Sequence, residues 1–481
     1  MAISDEQVFE QNPWWTSPGW RTSDPQLTSL DAQPVRLTAD FVTDLDLDRP
    51  GIHVLRGPRQ VGKSTDLKLL VERALGEGFE ARRIVYLALD MLEGRHLSEM
   101  VTTVRRTLDL ADRGAPGLLL LDEVTAVNGW QTAVKSLWDQ GHIREDIVVC
   151  TGSSAIDLQR GAVDRLPGRR REGIDHLALP QSFAAFARAL NSDIPPSPKL
   201  TVADIRTDAG EALLHDMRPY APALETALKR YLRFGGLPAA VAEAACGARE
   251  PSNEVRRILW DSLLRELQRK GASIPAGQAL LERVLRSLGA KISWSSMARE
   301  MDVPLGRGSG SPSHATLRDY IELLASGYFL FIAYFWRNST QSNDISRDKK
   351  VFFADPLLHK IALDNTPGLH TDTPALVENA IGIALLRRYE PPERLIETFV
   401  APERLHVWQT ARGGEIDFVC GPRRALDLVE VKYRENPSLS AAAAAARAQP
   451  GRPATMATKN TLRVSESYTL LPAHTLLWAL G

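Results

Sequence analysis

The sequence predicts an α/β protein: a parallel sheet around a phosphate loop, a mainly helical middle, and a second α/β region near the C-terminal end. Three observations predict it. Residues Leu55 to Thr65 read LRGPRQVGKST, in which Gly57, Gly62, Lys63 and Ser64 fill the pattern G-x-x-x-x-G-K-[ST]. Apolar strand-like runs alternate with helical periodicity from residue 52 to residue 150. Near residues 415–433 two strand-like runs, joined by Gly421-Pro422, carry Asp417, Glu430 and Lys432.

The composition narrows the class. A chain of 481 residues has room for about three domains. With 44% hydrophobic and 24% charged residues it reads as an ordinary globular protein. The net charge of -1 excludes a basic footprint over the whole chain, so any contact with DNA or RNA must use local patches. Cys150, Cys246 and Cys420 are too widely spaced for a zinc site, and they fit a reducing cytoplasm. The polar, acidic start is unlike a signal peptide, and the most apolar run, Tyr328 to Trp336, is too short to span a bilayer. No membrane partner is expected.

The phosphate loop has the context its pattern needs. Ile52 to Leu55 form an apolar strand, and Leu67, Leu70, Val71, Ala74 and Leu75 recur at helical spacing up to Gly76. The loop Gly57, Pro58, Arg59, Gln60, Val61, Gly62, Lys63, Ser64 and Thr65 can wrap its N–H groups around a polyphosphate at the positive end of the helix. Lys63 would reach the β- and γ-phosphates of ATP, and Ser64 would ligate Mg²⁺. A strand at 83–89 and a helix at 97–110 follow. Leu118 to Leu121 then run into Asp122 and Glu123. Asp122 can hold the Mg²⁺ shell and Glu123 can polarise an attacking water. Alone, that segment reads more readily as a buried strand with a solvated acidic end; the phosphate loop beside it favours the magnesium strand.

After a strand at 146–150 and another at 174–179, helices dominate: 182–190, 223–234 ending at Gly235-Gly236-Leu237-Pro238, and 254–270. This is the place and composition of a helical lid, assigned to 181–275. Helices at 279–288, from Ser293, and from Ser313 to Gly327 precede a strand at 328–336. That order resembles a winged helix, assigned to 276–345. The exposed face of its third helix carries His314, Arg318, Asp319 and Glu322, a mixture that favours a structural or protein-contact role over DNA reading. Residues 1–40 read as an extended arm that anchors Trp14, Trp15 and Trp20 on the core.

In the last region, 346–481, Glu430 and Lys432 point to one strand face while Val429 and Val431 point to the other. A hairpin can gather them with Asp417. Two carboxylates can bind Mg²⁺, and an ammonium beside them can orient a water. The alternative is an edge hairpin with a surface ion pair.

Several of these motifs resemble known families. The phosphate loop, the strand inserted between it and Asp122-Glu123, and the glutamate itself resemble the AAA-type branch of phosphate-loop ATPases, placed at 41–180. That resemblance implies a polar first sensor after the strand at 146–150, where Ser153 stands in place of the family's usual Asn. It also implies an arginine finger; Arg165 and Arg169 are the candidates, acting in cis or into a neighbouring subunit of an oligomer, against a plain solvated basic loop. The D-x(n)-E-x-K spacing resembles the PD-(D/E)XK nuclease superfamily, whose helical glutamate would fall at Glu378. Asp417, Glu430, Lys432 and Glu378 would then serve phosphodiester hydrolysis, with Asp417 and Glu430 on the metal. The whole order resembles prokaryotic AAA-type ATP-binding proteins with a C-terminal nuclease-like region of unknown function. Two functions follow as expectations. One is an ATPase that controls a nuclease. The other is a signalling or scaffold ATPase whose nuclease-like domain is a binding module.

Overall fold

The computed structural model describes residues 3–92, 94–112, 114–152, 174–301, 303–305, 312–337, 339–391, 399–409, 414–423, 425–435, 454–464 and 468–481. Two compact units divide the chain, Met1–Leu179 and Pro180–Gly481.

The first unit is built on five parallel strands: β1 (Gly51–Arg56), β2 (Ile84–Ala88), β3 (Leu118–Asp122), β4 (Ile147–Thr151) and β5 (Asp175–Leu177). β1, β3 and β4 are buried along their whole length, which is why they read as unbroken apolar runs. The order across the sheet is β2-β3-β4-β1-β5. The strand that separates the phosphate-loop strand from the acidic strand in space is therefore β4. The strand that separates them in sequence, β2, lies at the sheet edge. Helices Lys63–Gly76 and Leu97–Ala111 stand where their periodicity puts them. A further helix, Trp130–Asp139, buries Trp130, Ala133, Val134, Leu137 and Trp138, an amphipathic spacing the sequence reading passed over.

The arm is not extended. It forms helices Asp5–Gln11, Trp20–Ser23 and Pro25–Asp31, with a 3₁₀ turn at Pro13–Trp15. These pieces are too short for a 3.6-residue period to repeat, so they leave no pattern. Caps mark them instead: Ser4 accepts from Gln7 N–H, and Asp24 accepts from Gln26 and Leu27 N–H. Trp14, Trp15 and Trp20 are buried, as expected of anchors.

The arm also closes the sheet. On β2, Ile84, Tyr86 and Ala88 turn backbone groups away from β3, and at an edge these would be unpaired. Asn12 takes both groups of Tyr86: its Oδ1 accepts from the N–H at 2.7 Å and its Nδ2 donates to the C=O at 2.9 Å. The indoles of Trp14 and Trp15 both donate to Ile84 C=O at 2.9 Å, and Gln11 accepts from Ala88 N–H at 2.7 Å. Side chains thus replace a sixth strand.

In the second unit, helices Phe183–Leu190, Ala221–Phe234 and Asn253–Arg269 match their expected spans closely. Helix Ile274–Arg286 begins five residues before the expected start, because Ser273 caps it and a proline is tolerated in its first turn. Eight strands follow in one mixed sheet of order β12-β13-β11-β10-β9-β8-β6-β7. They are β6 (Leu330–Arg337), β7 (Ser342–Phe353), β8 (Leu405–Gln409), β9 (Glu415–Cys420), β10 (Asp427–Val431), β11 (Ala454–Thr458), β12 (Arg463–Val464) and β13 (Tyr468–Pro472). The strand read as a wing, β6, pairs antiparallel with β7 and meets β8 at Phe335↔Val407. It is buried from Leu330 to Trp336, whereas a wing would expose one face. The sheet therefore runs through the boundary placed at 345/346, which falls inside β7.

One corner of this unit depends on glycine. Gly235 follows helix Ala221–Phe234 with φ 62°, and a Cβ there would lie 1.8 Å from Asp355 Oδ1. The Asp355 carboxylate accepts from Gly236 N–H and Leu357 N–H, each at 2.8 Å, so it also caps helix Pro356–Asp364. Burial pushes its pKa up to about 6, against the pull of these two bonds.

Two stability predictions follow from these anchors. Asn12→Ala should cost roughly 2 kcal/mol in urea unfolding and should speed hydrogen exchange at the Tyr86 amide; unchanged exchange there would mean the edge is held by other contacts. Gly235→Ala should cost roughly 3 kcal/mol, because it combines a left-handed backbone with the loss of a buried cap. A cost below about 1 kcal/mol would show that the corner relaxes freely.

Candidate functional site

The phosphate loop leaves β1 through two glycines that nothing else could replace. Gly57 has φ 149°, and a Cβ on it would lie 2.1 Å from the Ala178 carbonyl oxygen. Gly62 has φ 99° and forms the N-cap of helix Lys63–Gly76. No side chain caps that end, so its first N–H groups face the loop as an anion cradle. Within the loop Gln60 also takes a left-handed backbone, φ 64°, and Val61 is buried. Pro58, Arg59 and Thr65 complete the segment.

Lys63 is buried, and its ammonium donates to the carbonyls of Gly57 at 3.0 Å and Pro58 at 2.9 Å. Burial pushes its pKa down to about 8, while the Glu123 and Asp122 carboxylates pull the other way. Those two acids therefore lie within the ammonium's field. Asp122 ends β3, and its carboxylate accepts from the Ser64 hydroxyl and from the Tyr86 hydroxyl, the latter at 2.8 Å. The carboxylate is buried, which raises its pKa. Its Oδ1 accepts from Glu123 N–H at 3.0 Å. Glu123 itself has φ 54°, an uncommon conformation for a residue with a side chain, found where a site holds its backbone against local preference.

The donors fit the groups the loop implies. Ser64 and Asp122 bring an alcohol and a carboxylate oxygen together, the hard oxygen ligands that Mg²⁺ takes. The ammonium and the free helix end suit the phosphates of ATP. At the end of β4, between β1 and β3, the Thr151 hydroxyl is buried and has no hydrogen-bond partner among the described residues. Ser153, Arg165 and Arg169, the residues expected as first sensor and arginine fingers, lie outside the described residues.

Two contributors were missed in the sequence. Tyr86 sits in the apolar run IVYLA, and only the strand register, with Ala88 opposite Asp122, brings its hydroxyl to that acid. Lys68, one turn beyond Ser64, pairs with Asp24 of the arm at 2.9 Å and lies 4.8 Å from the Tyr86 ring centroid. The arm thereby supports the group that holds Asp122.

In the second unit the sequence-predicted carboxylates do converge. The antiparallel register of β9 and β10 brings Glu430 beside Asp417: Asp417 N–H donates to Glu430 Oε2 at 3.4 Å, and Val431 N–H donates to Asp417 Oδ2 at 2.8 Å. Lys432 pairs with Glu430 at 2.5 Å. Glu378, on helix Thr373–Tyr389, joins them. A residue not anticipated stands in their midst. Lys350 of β7, 1% exposed, places its ammonium 2.9 Å from Glu378 Oε1, 2.6 Å from Glu415 Oε1 and 3.4 Å from Asp417 Oδ1. Burial pushes Glu378 and Glu430 up to about 7, with the Asp417 charge adding to it. Burial opposes the charge on Lys350, but the three carboxylates win and raise its pKa.

Asp417, expected as a metal residue, thus lies beside the Lys350 ammonium, and Glu430, the other, beside that of Lys432. Among the described residues no group of three or more His, Cys, Asp or Glu is placed to hold a metal ion. The Lys350 ammonium donates to Glu378, Glu415 and Asp417, occupying oxygens that a divalent ion would use. The sequence holds no pattern for Lys350, since it lies 67 positions before Asp417.

Comparison with known proteins covers parts of the chain. Residues 49–186 match an AAA domain family, and residues 225–367 match a domain of unknown function, DUF8612. The first match makes the phosphate-loop core an AAA-type domain. The second covers the helical middle and β6–β7 and stops before the β9–β10 hairpin. The uncharacterized protein MJ1637 of Methanocaldococcus jannaschii is 22% identical over 334 residues, 68% of this chain. The matched part spans 65% of that relative's length. Among solved structures, the chain is similar to the Aeropyrum pernix ORC2 protein in ADPNP–ADP complexes, at 12% identity and TM-score 0.36, over 68% of this chain and 90% of that one. It is also similar to Cdc6p from Pyrobaculum aerophilum, at 14% identity and TM-score 0.25, over 76% and 98%. Among the described residues no helix is long and apolar enough to cross a membrane.

The Tyr86 contact predicts a selective defect. Tyr86→Phe should leave metal-free nucleotide binding intact but raise the Mg²⁺ concentration needed for tight binding roughly tenfold, because Asp122 loses a charge-assisted bond. A titration with unchanged Mg²⁺ dependence would show that Ser64 and the backbone hold Asp122 without it.

Proposed function

We propose that the chain binds ATP with Mg²⁺ and hydrolyses it at the ends of β1, β3 and β4. The observation that carries this reading is the convergence of Lys63, Ser64, Asp122 and Glu123 in one buried electrostatic site. With ATP bound, Lys63 would leave the loop carbonyls and place its charge against the β- and γ-phosphates. Ser64 and Asp122 would hold Mg²⁺, which supplies positive charge to the phosphates. Glu123 is the group that would orient water and take its proton. Arg165 or Arg169 would complete the site, from this chain or from a neighbouring copy.

For the second unit, the buried Lys350 among the carboxylates speaks against a metal-dependent nuclease, and the catalytically inactive binding module is the alternative reading.

The test separates binding from turnover. Lys63→Ala should lose nucleotide binding, since the phosphates lose their point charge. Glu123→Gln should still bind ATP while turnover falls roughly 10²- to 10⁴-fold. Wild-type turnover in Glu123→Gln would remove Glu123 from the mechanism. Mg²⁺-dependent DNA or RNA cleavage by the wild-type chain, lost in Glu430→Ala, would overturn the binding-module reading.

A further inference from the structure

We infer that the Lys350 ammonium takes the place of a divalent cation in the second unit, so that its carboxylate cluster is closed to metal by the chain's own charge. Glu378, Glu415 and Asp417 come from a helix and a strand and converge on one point in the interior of the unit. Carboxylates gathered in a partly enclosed site repel one another and lose hydration, so a cation at their centre stabilises the cluster. A nuclease-type site meets this need with a metal ion. Here the need is met by Lys350.

The geometry favours the ammonium on three counts. Its contacts of 2.6, 2.9 and 3.4 Å are all longer than the roughly 2.0–2.1 Å of Mg²⁺ to oxygen. The ammonium has three donors, and three carboxylates receive them. Its backbone is locked: Lys350 pairs with Ala333 in the β6–β7 ladder and is followed by buried Val351, Phe352 and Phe353. With 1% of its surface exposed, the side chain has no solvent-facing place to which it could withdraw. Asp417 is also held from behind, by Val431 N–H, and Glu430 is drawn to Lys432. Asp417 and Glu430 therefore each have a partner on their other side.

The inference builds on the reading of the second unit as a module that does not cut, but it has its own test. Nucleotide-free full-length wild type and Lys350→Met are titrated with Mn²⁺, following bound ion by electron paramagnetic resonance and stability by thermal unfolding. Wild type should show no Mn²⁺ uptake that Asp417→Asn removes. Lys350→Met should melt below wild type, bind one additional Mn²⁺, and regain about 5 °C at saturating ion. Adding Asp417→Asn to Lys350→Met should abolish that gain. If Lys350→Met fails to fold alone, its refolding yield in Mn²⁺ decides: rescue by the ion supports the inference and absence of rescue overturns it. A folded Lys350→Met that takes no additional ion, or a wild-type Mn²⁺ site lost in Asp417→Asn, also overturns it. Cleavage of DNA by wild type that depends on Glu430 would sink both readings. A chain that neither cuts nor gains an ion on loss of Lys350 would sink this inference alone.

Discussion

Buried charge must meet buried countercharge, and this requirement organises both units. In the first, Lys63 is taken out of water by the loop that carries it, and the acids at the end of β3 offset the cost. Lys68 is nearly as enclosed, and Asp24 of the arm supplies its partner. Arg56, fully buried at the end of β1, is paired with Asp175 on β5. Each pair ties a strand or helix near the phosphate loop to a different part of the unit. In the second unit the same rule places Lys350 among three carboxylates. Removing either side of such a pair leaves an uncompensated charge, which is why these contacts constrain the surroundings more than their net stabilisation suggests.

Adjacent lysines on β7 show how far local context decides. Lys349 and Lys350 alternate across the sheet. Lys350 meets carboxylates. Lys349 lies 4.4 Å from the centroid of the Trp294 ring, and burial pushes its pKa down to about 8. The same residue type thus has its charge reinforced on one face and opposed on the other. Neither environment is visible in the local run DKKVFF.

Backbone groups obey a parallel rule. The edge of β2 would expose a row of donors and acceptors, and Asn12, Trp14, Trp15 and Gln11 satisfy them from the arm. The arm thereby reaches the nucleotide site indirectly, because Tyr86 is both the residue that Asn12 clasps and the donor to Asp122. Stability at the edge and the position of the candidate metal ligand are properties of one strand.

What the sequence determined alone is local. A glycine pattern, a run of four leucines before Asp122-Glu123 and the 3.6-residue periods defined the phosphate loop, its helix and the acidic strand to within a few residues. The hairpin that gathers Asp417, Glu430 and Lys432 was legible for the same reason: alternation along a strand fixes which side chains share a face. The helical arm was not, because its pieces are shorter than the period that would reveal them. Tertiary structure decided everything that depends on register and strand order. It put β4, not β2, between β1 and β3, brought Tyr86 to Asp122, and extended one sheet through the segment read as a wing. It also placed Lys350 where the sequence pattern implies a metal. Contacts between residues far apart in the chain carry no periodic signature, so the charge that occupies the carboxylate cluster could be found only once the strands were assembled.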